Sequence, residues 1–599
     1  MARSHILAEL KKLMLAYQVS EATGRPVDEV YEERLELQEQ ARVWGLSRRQ
    51  FLISAGALVA TAAMPSGMKR ALANTETHVP VAIIGAGMAG LAAAIRLKDA
   101  GVRAQLFEAQ TRVGGRLLTD RNAASHTGCN ICHTTKTTCA SCHEASKGKD
   151  MPWMDDQYVD VYGELIDNPG YWTATWQLAS RYWSVDPKDP NGAMVDMWQG
   201  YPAGCTDTYF FDNDYYRWKQ VLKDFGPVYK AVARDQKKAP SPTTHVTAKD
   251  KHRKERQRLD RTSVWQWIEK NVPGGHASPM GKLLDVEYNI EYGADTTKQS
   301  ALNLIYLLAN QPQKNQFSVF GESDERYRLR GGIDRLTTAM ADEIGWDNIK
   351  LGKRLVRLSQ APDRSYHLHF SDGHQVRADN VLLALPFAAL RHHVDFKSAG
   401  FDEFKRQTIM NAAVAHNFKM AVQFKSRFWN RSGPWGISNG NLASDTGCQY
   451  GWDGSRGLPG GHGILVNLGG GAICDGMRLG HAYGTGPHFG AEDDAQSFLR
   501  QLDRIFPGAD VFNQWTGKVV ATKAHLDTNY LGSYGNYEPG GYTKWCGAER
   551  MPSGNVFFAG EHTSIDFFGY FEGAAQEGIG SAEAILARLG IKTPKKKSS

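Results

Sequence analysis

The stretch VPVAIIGAGMAGLAAAIRLKDAGVRAQLFEA, Val79 to Ala109, changes its periodicity three times. The unbroken apolar run Val81 to Ile84 reads as a short strand buried on both faces. Glycines follow at positions 85, 87 and 90, then an Ala/Leu-rich helix, and RAQLFEA returns as a second strand. This is a βαβ unit. Its glycines permit a tight turn and close approach of backbone to a pyrophosphate, whose charge the first helical N–H groups can meet. Glu108, ending the second strand, can accept from ribose hydroxyls. A lone G-x-G-x-x-G is weak, but here strand, helix and acid surround it, so the stretch predicts a dinucleotide site with Gly85, Gly87, Gly90 and Glu108 as its binding residues.

Working outward, EAQTRVGGR adds Gly114, Gly115 and Arg116. Six further motifs follow in order: VYGELID (Val161 to Asp167), EYGADTTKQSALNLIYLL (Glu291 to Leu308), SDERYRLRGGIDRL (Ser323 to Leu336), NVLLALPFAAL (Asn380 to Leu390), FKMAVQFKSRFW (Phe418 to Trp429) and VFFAGEHTSIDFFGYFEGAAQEGIGSAEAIL (Val556 to Leu586). From about Val79 to Leu589 this series resembles the flavin amine oxidase family, which includes monoamine and L-amino-acid oxidases. The resemblance implies an α/β fold in which a Rossmann-type FAD-binding domain interleaves with an α+β substrate-binding domain, the flavin ring lying at their junction.

It also implies roles for single residues. Gly560 and Glu561 in FFAGEHTS would lie near the ribityl and pyrophosphate. Gly569, Tyr570, Phe571 and Ala574 would begin a helix facing the flavin pyrimidine end, where negative charge collects on reduction. Val356 in GKRLVRL matches a position whose backbone meets adenine. Tyr534 and Tyr570 match two aromatics flanking the substrate, and Lys419 matches the lysine that holds a water at flavin N5. Ser533 occupies the place of a cysteine that tethers flavin in some members, so FAD is expected to bind noncovalently. L-amino-acid oxidases carry an arginine in the segment matching YGELID; Ile166 aligns there, which favours an amine over an α-amino acid. In ATKAHLDTN, where many relatives place a tryptophan, this chain has Lys523, Ala524 and His525.

The chain has 599 residues, 42% hydrophobic, and a net charge of +6. That length suits several interleaved modules, and the charge excess sits in local runs, KDKHRKERQR and the tail KTPKKKSS, which read as solvated and not as a nucleic-acid surface. LSRRQFLISAGALVATAAMP places Arg48 and Arg49 before an apolar stretch of small residues, with RALA ending at Ala73. This pattern predicts twin-arginine export to the periplasm or another extracytoplasmic space. The preceding charged stretch, PVDEVYEERLELQEQAR, has no evident task. No later apolar run is long enough for a stable membrane span.

Between GGRLLTDR and YGELID lies an insert of about thirty residues beyond an ordinary connection, containing TGCNICHTTKTTCASCHEASKG (Thr127 to Gly148). It repeats C-x-x-C-H: Cys129, Cys132 and His133, then Cys139, Cys142 and His143. In a c-type haem the thiols bond to the vinyl groups and the histidine ligates iron. Three readings compete. Two covalent haems come first, with His126, Met151 or Met154 as sixth ligands; a four-cysteine zinc or iron–sulfur site is second; disulfides are third. Cys205, Cys448, Cys474 and Cys546 lack motif spacing and read as small apolar packing residues.

The expected organisation is a signal region at 1–73, FAD-domain segments at 79–121, 320–395 and 541–590, the insert at 122–157, mainly substrate domain at 158–319 and 396–540, and a basic tail at 591–599. The expected function is an exported FAD-dependent amine oxidoreductase that passes hydride from an amine C–H to flavin N5, with electrons going on to haem and an external cytochrome or other acceptor, otherwise to oxygen. One competitor is an L-amino-acid oxidase producing hydrogen peroxide. Another, of a different class, is a non-catalytic flavin and haem electron-transfer module. A homodimer is compatible with this reading.

Overall fold

A computed structural model describes residues 5–32, 77–121, 153–167, 173–309, 325–486 and 490–591. The signal segment around Arg48 and Arg49, the residues Cys129, Cys132, His133, Cys139, Cys142 and His143, and the basic tail beyond Ile591 lie outside the described residues.

Val81, Ala82, Ile83 and Ile84 are at most 2% exposed, as an apolar run in a covered parallel sheet requires. The strand Thr77–Ile84 pairs in parallel with Gln105–Phe107 on one side and with Gln375–Leu383 on the other. That long strand in turn pairs in parallel with Val556–Phe558 and antiparallel with Tyr366–Phe370. Leu355–Gln360 and Ile349–Lys350 complete a seven-stranded sheet. The helix Met88–Asp99 lies against the C-terminal helix Phe571–Arg588, and a Cβ on Gly578 would fall 2.2 Å from the Ala89 carbonyl oxygen. Small residues on both helices bring them close enough to close one end of the dinucleotide turn.

The second body is an eight-stranded sheet whose middle is Trp515–Lys523, Asn417–Phe424 and Gly463–Gly470, paired antiparallel in that order. Asn417–Phe424 is buried along its whole length. Helices Trp218–Lys238, Pro279–Tyr292 and Ala301–Ala309 share the core beside this sheet.

Residues ahead of the twin arginines are part of that same core. The helix His5–Thr23 buries Leu10, Leu13, Met14 and Ala16, and Val30 and Tyr31 join them. Tyr17 stacks on Tyr229 at 5.1 Å and donates to the Leu222 carbonyl at 2.8 Å. The stretch that carried no task in the sequence therefore has, over its described residues, a packing one.

Most of the basic run Lys249 to Arg258 is exposed, as expected, but Arg256 is buried. It donates to the Pro240 and Pro242 carbonyls and to Thr243 Oγ1, which satisfies its guanidinium without solvent. Cys448, Cys474 and Cys546 are buried and unbridged, while Cys205 is half-buried. No helix among the described residues is long and apolar enough to cross a membrane.

Candidate active site

One long cavity runs from the glycine turn, between the two sheets, to the wall of the second sheet. At its first end Gly85 has φ +105°, and a Cβ there would lie 2.6 Å from the Ala384 carbonyl oxygen. Gly90 faces the other way: its Cβ would strike Gly85 O at 1.9 Å, so it serves helix-to-strand packing and does not line the cavity. Gly87 and Gly114 form a bridge, which brings the two glycine pairs of the sequence together. Glu108 accepts from Ala86 N and Gln110 N, both at 2.8 Å. Burial pushes its carboxyl up, and those two amides partly oppose the shift.

In the middle, Arg116 pairs with Glu561 at 3.0 Å and donates to the Ser533 carbonyl. Ser533 Oγ is engaged with Ala415 O at 2.9 Å and Asn417 Oδ1 at 2.6 Å. Gly560, Gly569, Phe571 and Ala574 line the same cavity. Tyr570 occupies the N-cap of the C-terminal helix with no side-chain cap, so the helix's first N–H groups begin at the cavity edge. His562 is a residue that sequence reasoning missed. Both its ring nitrogens are buried without a hydrogen-bond partner, Phe387 meets its ring edge-on at 4.5 Å, and burial pulls its pKa to about 4.

The residues present fit a flavin dinucleotide. A glycine cradle that a side chain would fill, a buried acid after the second strand, an open helix N-terminus and two unsatisfied imidazole nitrogens line one cavity between the two sheets.

At the far end, Lys419 projects from the buried strand Asn417–Phe424. It pairs with Glu164 at 2.8 Å, donates to the Tyr162 carbonyl at 3.1 Å and stands 5.1 Å from the Trp452 ring. Glu164 also meets Arg328 at 3.3 Å, which itself donates to the Gly454 carbonyl at 2.7 Å. Asp160 lies behind them, its pKa raised to about 7, first by burial and then by the charge of Glu164. Lys419 is thus one member of a buried row of two cations and two acids. Trp452 lay outside every sequence motif, whereas Glu164 lies inside VYGELID and Arg328 inside SDERYRLRGGIDRL, where the fixed charge partners around Lys419 could have been sought.

Tyr534 and Tyr570 line this end together with Trp452, Leu468, Thr522 and Ala524. Tyr534 donates to the Ile290 carbonyl at 2.8 Å, and Tyr570 to Glu291 at 3.0 Å. In ATKAHLDTN, Ala524 borders the cavity, whereas Lys523 turns away to the Met477 carbonyl at 2.7 Å. An aromatic wall is supplied instead by Trp452 from another strand.

Besides Gly90, two more expected positions fall beside the cavity and not on it. Leu355 lines it, while the Val356 carbonyl accepts from Asp395 N at 2.9 Å. Likewise Leu165 and Glu164 line it, while Ile166 exchanges backbone hydrogen bonds with Tyr327 and packs in the core with Met194 and Leu329. Ile166 therefore says nothing about the substrate.

Comparison with known proteins agrees with this geometry. Residues 299–586 match the family model of flavin containing amine oxidoreductases, and residues 83–141 match an NAD(P)-binding Rossmann-like domain. Polyamine oxidase 3 of Oryza sativa is 23% identical over 524 residues, covering 86% of this chain and 90% of its own. An L-amino acid dehydrogenase of Synechocystis sp. is 21% identical over 521 residues, covering 85% and 94%. The structure of cyclohexylamine oxidase from Brevibacterium oxydans superposes with a TM-score of 0.64 at 21% identity, covering 86% of this chain and 99% of that one. Behind its Rossmann-like glycine turn, this chain therefore carries, over residues 299–586, a domain of the flavin containing amine oxidoreductase family.

Proposed function

We propose that the protein is an exported, FAD-dependent oxidoreductase of simple amines. The observation that carries this reading is the state of the cations lining the cavity among the described residues. Arg116 is paired with Glu561, Lys353 with Asp372 and Lys419 with Glu164, while Arg354, which donates to the neutral Asn529 at 2.6 Å, lies beside Glu108 at the dinucleotide end and away from Tyr534 and Tyr570. An α-amino acid needs an uncommitted guanidinium or ammonium for its carboxylate. A neutral amine needs none.

FAD bound here supplies the two-electron acceptor for a C–H bond beside an amine nitrogen, so that the amine leaves as an imine, which water converts to a carbonyl compound and ammonia or a smaller amine. The chain's own part is to orient and to exclude. Tyr534 and Tyr570, each held by its hydroxyl to the helix Pro279–Tyr292, present fixed rings to the substrate. Trp452 and Leu468 place apolar surface at that end, beside the Lys419–Glu164 pair, and apolar surroundings favour the uncharged form of an amine nitrogen. Lys419 directs two of its N–H groups into protein acceptors, leaving the third for a group in the cavity.

Anaerobic mixing of FAD-loaded enzyme with primary amines, diamines and L-amino acids tests the reading. Bleaching of the flavin at least tenfold faster by amines is expected; faster bleaching by L-amino acids would overturn it. Export and a haem acceptor rest on Arg48 and Arg49 and on the two C-x-x-C-H units. Replacing both arginines by lysine should hold the chain in the cytoplasm. A pyridine haemochrome assay on extracted, denatured chain should find covalent haem at about two per chain, and a flavin spectrum alone would refute that part.

A further inference from the structure

Away from the cavity floor, three metal-ligating side chains from distant parts of the chain converge. His416 precedes the strand Asn417–Phe424, His525 follows the strand Trp515–Lys523, and Asp475 lies in the helix Gly471–Gly476 that follows Gly463–Gly470. These three strands are neighbours in the second sheet. His416 Nδ1 is 3.0 Å from Asp475 Oδ1, and His525 Nε2 is 4.0 Å from the same oxygen. One ligand atom from each residue lies within 4.8 Å of the others. Around a tetrahedral ion with bonds of about 2.0–2.1 Å, ligand atoms sit roughly 3.4 Å apart, so contraction by at most about 1.4 Å closes the set.

The surroundings hold these groups in place. His416 N donates to Gly293 O at 2.8 Å, and its carbonyl accepts from Gly471 N at 3.1 Å, tying the start of one strand to the short helix. Asp295 anchors that helix by accepting from Ala472 N at 2.9 Å. His525 Nδ1 lies 3.9 Å from Cys474 Sγ, a contact that leaves Nε2 facing Asp475. Lys523, the nearest cation in sequence, is committed to the Met477 carbonyl. The His416 and His525 rings are stacked at 4.3 Å and 12° from parallel, so the more exposed His416 ring must turn about its Cβ–Cγ bond to aim its lone pair at a shared ion.

We propose that His416, Asp475 and His525 form a site for a divalent metal ion of borderline softness, zinc being the representative, with a fourth position open to solvent. Two nitrogens and one carboxylate oxygen suit such an ion better than calcium or magnesium, which prefer all-oxygen shells. An ion here would cross-link three strand ends. Asn417 and Ala524, the immediate neighbours of two ligands, line the flavin cavity, so the site would also stiffen the wall of the amine pocket. The inference does not depend on which amine is oxidised.

The test uses the full-length, FAD-loaded enzyme, stripped with chelator and dialysed against zinc in excess magnesium, with metal counted per flavin. The four insert cysteines are a separate zinc candidate, so the measurement is made with Cys129, Cys132, Cys139 and Cys142 all replaced by serine. That variant is expected to keep one zinc per flavin. Adding His416→Gln and His525→Gln should remove it, and Asp475→Asn should weaken it at least tenfold. Zinc content equal with and without the histidines would overturn the proposal. Should the serine variant fail to fold, cobalt(II) absorption of the native enzyme gives the same answer. A ligand-field band lost in the His416→Gln, His525→Gln variant, with any thiolate charge-transfer band kept, supports the site; an unchanged spectrum overturns it.

Discussion

Glu164 is the residue on which the buried charge row turns, because it faces Lys419 on one side and Arg328 on the other. Glu164→Gln keeps the shape and removes the charge that faces both buried cations, Lys419 and Arg328. Breaking a buried pair in this way costs about 3–5 kcal/mol, to be read as a fall in the urea midpoint of FAD-loaded protein. Lys419→Met leaves Glu164 still facing Arg328, so it should cost less stability but slow amine-driven turnover about 10–100-fold, the scale for losing a placed donor at the reacting centre. Equal stability losses in the two variants would contradict this division. Asp160 adds a pH signature. Its folded pKa, about 7, lies above its ordinary 3.8, so the folded state holds the proton more tightly. The stabilisation is full below about pH 4 and is lost as pH rises through about 7, with a slope of at most about 1.4 kcal/mol per pH unit. The Asp160→Asn variant should lack that slope, which paired denaturation curves from pH 4 to 8 would show.

At the scale of elements, the N-terminal helix makes the clearest prediction. Leu13 is fully buried against the second body, so Leu13→Ala should cost about 2–5 kcal/mol, as a large-to-small core change does. A loss under half a kcal/mol would mean the helix is not docked in solution. Its apolar pattern, Leu10, Leu13, Met14 and Tyr17 at spacings of three, four and seven, was present in the sequence. The twin arginines downstream drew that stretch into a signal reading, and amphipathicity alone does not say what a helix packs on. The βαβ unit was legible for the opposite reason. Its turn, helix and acid are local, and each is required by backbone geometry within thirty-odd residues. Glu164, Arg328 and Lys419 come from three remote segments, and no local pattern announces that they meet.

At the scale of the whole molecule, the cavity is shared between two sheets, and a strand's side chains alternate between its faces. A one-residue slip in alignment therefore exchanges cavity for core. Leu355 lines the cavity where half-buried Val356 does not, and in the YGELID segment Leu165 lines it where Ile166 packs in the core: family resemblance found the right segments, but only packing shows which neighbour looks inward. The distinction gives a direct test of how the cavity selects its substrate. Leu165→Arg places an uncommitted guanidinium on the cavity wall and should raise the ratio of amino-acid to amine oxidation at least tenfold, since a carboxylate then gains a partner. Ile166→Arg buries an unpaired charge in the core beside Tyr327 and should cost several kcal/mol while leaving that ratio unchanged. The two variants differ by one position and identical chemistry. If Ile166→Arg alone shifted the ratio, the inward-facing residue of this segment would be the other one, and the substrate wall would have to be redrawn from there.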